Sequence, residues 1–66
     1  MTINDKKFNI VLANSGLTIK EVAERAEMSR TRLNMILNQK RVTPQAVGRV
    51  ARALGVRTEE IIDMEE

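Results

Sequence analysis

LTIKEVAERAEMSRTRLNMIL, residues 17–37, holds two short helical patterns with almost nothing between them. Thr18 and Glu21 have the spacing of a reciprocal cap, hydroxyl to the third amide and carboxylate back to the first, with Leu17 before it as an apolar staple. Val22, Ala23 and Ala26 then fall on one face of a helix over about 19–26, and the small alanines let another backbone approach closely. Ser29 reads as a fresh N-cap, and Leu33, Ile36 and Leu37 give the next helix, about 30–37, its own apolar stripe. Only Glu27 and Met28 separate the two. Helices so closely joined must cross steeply, with Met28 turned inward to fill the corner.

The flanks extend the same pattern. Phe8, Val11, Leu12 and Ser15 follow a 3,4 spacing over a helix at about 5–14, which Gly16 closes; Ile10 fits no face of it. Thr43 is an N-cap with Pro44 in the first helical position, where a missing N–H costs nothing. The helix that follows, about 44–54, places Val47, Val50, Ala51 and Leu54 on one face, ends at Gly55, and leaves Val56 to close the core. Thr58 has no capping-box partner, because Ile61 stands three residues on, yet it can cap a last short helix with Glu59 and Glu60 at the positive end. No strand pattern, repeat or linker interrupts the chain. The expected fold is all-α: a single domain over 1–66, a compact bundle of about five short helices whose second and third form a helix-turn-helix.

Composition narrows the function. With no cysteine and no histidine, thiol chemistry and the common zinc ligand sets are absent, so neither enzymatic activity nor a metal or other cofactor is expected. One Phe with no Trp or Tyr disfavours stacking on single-stranded bases. No apolar run reaches membrane-spanning length and MTINDKKFNI has no secretory core, so a membrane role is not expected and a cytoplasmic location is. The net charge of +2 is unevenly spread: residues 20–57 carry nine Lys/Arg against three Glu, whereas residues 58–66 carry five acids and no base. A basic body calls for an anionic partner.

Within that body, MSRTRLNMILNQKR, residues 28–41, has four bases and no acid. Outside the apolar stripe, the third helix offers Arg30, Thr31, Arg32, Asn34, Met35 and Asn38. Arginine can bridge guanine, asparagine can pair with adenine, and Thr or Met can touch a thymine methyl, so Arg30, Thr31, Arg32, Asn34 and Met35 are the candidate base readers. An acid here would face phosphate. Thr18, Lys20, Asn38, Lys40 and Arg41 flank that helix and are the candidate phosphate contacts. The competing reading is a solvated face with arginines favoured for helix propensity, and it is the preferred one for Arg49, Arg52 and Arg57.

The run GLTIKEVAERAEMSRTRLNMILNQKRVTPQAVGRVARALGV, residues 16–56, resembles the lambda-repressor/Cro type of helix-turn-helix domain, the Xre family. The resemblance rests on G-L-T at 16–18, V-A at 22–23, M-S at 28–29 and A-x-A-L-G-V at 51–56, taken together. It implies a five-helix DNA-binding transcriptional regulator, usually a repressor and often a homodimer, that reads bases from the start of the third helix. By position those readers are Arg30, Thr31 and Arg32, followed by Asn34 or Met35. The chain departs from the family at Ile19, where Gln commonly helps to clamp phosphate, and at Glu27, which replaces a frequent turn glycine. Leu37 and Gln39 also differ, standing where many members carry Glu and Gly.

Two further partners remain open from sequence. One short reading helix covers few base pairs, so a homodimer on two half-sites is expected to gain discrimination. Ile61, Ile62 and Met64 are the candidate interface, or else they complete the monomer core. The alternative function is an antitoxin-like module that binds a protein partner, with DNA binding secondary or absent.

Overall fold

The computed structural model describes residues 2–38 and 42–63. Among the described residues, four α-helices follow one another: α1 Asp5–Ser15, α2 Ile19–Arg25, α3 Arg30–Asn38 and α4 Pro44–Leu54; a 3-10 turn, Thr58–Glu60, comes after them. The helix boundaries follow local capping chemistry. Asn4 opens α1 by accepting the Lys7 N–H at 2.9 Å. The Thr18 hydroxyl accepts the Glu21 N–H at 3.1 Å while the Glu21 carboxylate accepts the Thr18 N–H at 2.8 Å, which fixes the start of α2. Ser29 caps α3 by accepting the Arg32 N–H at 3.0 Å, and Thr43 caps α4 by accepting the Ala46 N–H at 3.1 Å.

α2 packs against both α3 and α4, with Ala23 and Ala26 buried where the backbones meet. Val22, Leu33, Val47, Val50 and Ile61 are wholly buried and define the centre of the core. Met28, Leu17 and Val56 pack against it from the edge, and Ile10 stays exposed, on no buried face.

The turn between α2 and α3 is closed by two backbone bonds. The Glu27 N–H donates to the Glu24 carbonyl at 3.1 Å and the Met28 N–H donates to the Ala23 carbonyl at 3.0 Å. The end of α4 repeats the arrangement, with Gly55 donating to Arg52 and Val56 to Ala51, both at 3.0 Å. This closure needs a left-handed residue at its bend. Gly55 supplies it at φ 73°, but in the functional turn the residue is Glu27, at φ 60°.

The expected fifth helix is corrected to a 3-10 turn. Arg57, not Thr58, stands before it, its N–H held by the Glu60 carboxylate at 3.0 Å. The physical reason lies in the next two residues. Ile61 and Ile62 are both buried, and past Glu60 the backbone groups that would continue a helix bond to the N-terminal segment instead. The backbone instead turns extended and pairs with the N-terminal segment. Asn4 N–H donates to the Ile61 carbonyl at 2.8 Å, Asp63 N–H donates to the Thr2 carbonyl at 3.0 Å, and Ile3 faces Ile62 in an isolated antiparallel bridge. The Asn4 amide donates to the Asp63 carboxylate at 2.7 Å and Lys7 Nζ donates to the Ile62 carbonyl at 2.9 Å. Ile3 thereby joins the core.

Candidate nucleic-acid interface

α3 buries Leu33 and Ile36 and half-buries Leu37, which turns its remaining side chains outward. Arg30, Thr31, Arg32, Asn34, Met35 and Asn38 are all exposed. Among the described residues, none of their side chains makes a hydrogen bond or ion pair, and the one ion pair is Arg57 with Glu59 at 3.2 Å. Met35 is half exposed, a long apolar side chain left in water at the crest of the helix.

The outward residues divide into a crest and two flanks. Thr31, Asn34, Met35 and Asn38 line one shallow patch. Arg30 and Arg32 lie on opposite sides of it, because at about 100° per residue two positions differ by about 160° around the axis. Arg32 leans toward α4 and lines a cleft with Met28, Ile36, Arg49 and Arg52. The consecutive stretch Arg30–Arg32 therefore does not act as one surface. Asn38, expected among the phosphate contacts, shares the crest with Thr31, Asn34 and Met35.

The other flanking residues are placed as follows. Thr18 is exposed, but its hydroxyl oxygen already accepts the Glu21 N–H within the cap. Lys20 is exposed in the first turn of α2. Lys40 and Arg41 lie outside the described residues, as does Met64. Ile61 and Ile62 are buried within the chain, at 0% and 5% exposure, so their apolar surface is spent on the monomer core and is not offered to a second copy.

The order of the elements and the tight, hydrogen-bonded turn between α2 and α3 are those of a helix-turn-helix. A family model described as helix-turn-helix (HTH_3), the Cro/C1 type, matches residues 11–61. The chain belongs to this helix-turn-helix family. It is accordingly a DNA-binding regulator of the Cro/C1 type. No curated protein matches it.

Two basic residues of α4, Arg49 and Arg52, border the helix-turn-helix rather than standing apart from it. They line the cleft with Arg32 and a second cleft with Arg25, Ala26 and Glu27. The spacing of Gln45, Arg49 and Arg52 marks the outer face of α4 in the sequence. Arg25 carries no signal of its own, and only the packing of α2 on α4 brings it beside them.

Proposed function

We propose that this helix-turn-helix protein represses transcription by binding a specific double-stranded DNA sequence, with α3 lying in the major groove. The observation that carries the reading is the crest of α3: Thr31, Asn34, Met35 and Asn38 exposed together, free of internal partners, with an arginine on either side and no acid anywhere on the helix. Amide and hydroxyl groups match base edges, the Met35 tip matches a thymine methyl, and Arg30 and Arg32 reach guanine or the phosphates along the groove walls. Lys20 supplies a phosphate contact at the start of α2, and Thr18 holds that helix end in place. Lys40 and Arg41 follow α3 in sequence and belong to the same contact set. Repression needs no more than occupancy of a site that polymerase also uses, and it places the protein in the cytoplasm.

Selection from a random double-stranded library, with excess competitor near physiological salt, tests the reading. An enriched motif whose affinity falls on replacement of Thr31 or Asn34 supports it, at roughly 1–3 kcal/mol of lost discrimination for each good base contact. An inverted repeat reports two copies on two half-sites, and a single short motif reports one. Absence of any enriched motif sinks sequence-specific binding and favours a protein partner as the main target.

A further inference from the structure

Four arginines form a continuous strip outside the α3 crest. Arg32 on α3 faces Arg49 and Arg52 across an open cleft of about 680 Å³. Arg49 and Arg52 then border a second cleft with Arg25 at the end of α2. All four are exposed, and none is paired with a carboxylate among the described residues. One acid, Glu27, lines the second cleft, and it too forms no ion pair.

We propose that this strip is a phosphodiester clamp, a second DNA-backbone site that grips the strand on the α4 side of the groove. The proposal rests on the reading that α3 occupies the major groove. A helix in that groove has one strand along each flank, separated by a groove about 12 Å wide. Arg30 faces one flank and Arg32 the other. The strand on the Arg32 side runs toward α4, where Arg49 and Arg52 line the same cleft as Arg32 and no acid lines it. The forked guanidinium donors suit phosphate oxygens, and four like charges this close gain from a polyanion that neutralises them together. Glu27 opposes phosphate at the far end, so the main grip lies between Arg32, Arg49 and Arg52.

The test is equilibrium binding of the full chain to a mixed-sequence duplex of about 30 base pairs across a range of salt concentrations, so that backbone contacts alone are read. Arg49→Gln with Arg52→Gln removes two phosphate contacts and is expected to flatten the log-log salt slope by about 1.8. Extrapolated from 1 M salt, that corresponds to an affinity loss of about 30-fold at about 0.15 M. Arg49→Lys with Arg52→Lys keeps the charge and is expected to keep the slope. Thermal melts confirm that each variant is folded. An unchanged slope in the glutamine double variant overturns the clamp while the groove reading stands, and so does an equal loss in the lysine variant. A wild-type chain with no salt-dependent affinity for duplex overturns both.

Discussion

Glu27→Gly is expected to stabilise the protein, although it removes a side chain and introduces the least helix-favouring residue but proline. Glu27 sits at φ 60° in the closure that ends α2, the place that Gly55 fills at φ 73° at the end of α4. A side chain in the left-handed region costs about 1–2 kcal/mol, and the glycine removes that cost. Against this, glycine loosens the unfolded chain by about 0.4–1 kcal/mol. The midpoints of these ranges leave a net gain of about 0.8 kcal/mol. With an unfolding entropy of about 2.1 cal/mol/K per residue, a chain of 66 residues gains about 4–7 °C in Tm. Glu27 also carries a negative charge beyond the negative end of α2, which is unfavourable, and lies near Arg25, Arg49 and Arg52, which offset it. Glu27→Ala separates these effects, since it removes the charge and keeps the strained backbone. The glycine-minus-alanine difference, measured by urea and thermal denaturation, therefore reads the backbone term alone. The converse change, Gly55→Ala, meets no atom within 4 Å of its new Cβ, so its expected loss of about 1 kcal/mol is conformational and not steric. Equal stability of the glycine and alanine variants at position 27 would refute the strain argument, whatever their stability relative to wild type.

Ile61→Ala opens a cavity at a wholly buried site and is expected to cost about 2–5 kcal/mol. For a chain this small, whose total stability is of order 3–10 kcal/mol, that leaves a large unfolded fraction at 37 °C by circular dichroism. Retention of the fold with only a change in sedimentation would instead make Ile61 an interface residue. Thr18→Ala removes one half of the α2 capping box and is expected to cost about 1 kcal/mol, read as a lower urea midpoint with an unchanged m-value. Asn4→Ala removes both the α1 cap and the bond to Asp63, so it is expected to cost about 1–2 kcal/mol, more than Asp63→Ala, which leaves the cap intact. Equal losses in the two variants would assign the whole effect to the junction between the chain ends.

What was legible in the sequence was what is decided within four residues. Thr18 with Glu21, Ser29, and Thr43 with Pro44 each fix a helix start through a hydroxyl and an amide close by in the chain, so the boundaries of α2, α3 and α4 follow from local chemistry. The exposed crest of α3 was legible for the same reason. Once Leu33, Ile36 and Leu37 define the buried side, the rest must face out. Its division into crest and flanks is a matter of angle, and reading Arg30, Thr31 and Arg32 as consecutive letters hides that two of them point apart. The closing of the two chain ends was not legible. Ile3 meets Ile62 only because α1 and α4 have already brought them together, and nothing near either isoleucine encodes a partner 59 residues away. The strip of arginines depends on packing in the same way, since Arg25, Arg32 and Arg52 belong to three different helices.

These levels converge on the turn. The angle at which α3 stands away from α2 is set by the left-handed bend at Glu27 and by Met28 packing behind it, so a residue that costs stability is also one that aims the reading helix. The same Glu27 side chain borders the arginine strip. A glycine there would ease the backbone and remove the one acid from the cleft, favouring both stability and affinity for any duplex. Affinity for any duplex opposes discrimination, because the competing non-specific sites bind through the same backbone contacts. An acid placed among the phosphate-facing arginines lowers non-specific affinity and leaves the α3 crest untouched. On that account Glu27→Gln should tighten binding to mixed-sequence duplex and to the preferred site by similar factors, which fills competing sites without adding discrimination. A ratio that changes would show that the carboxylate also acts on the α3 crest and is not confined to overall grip.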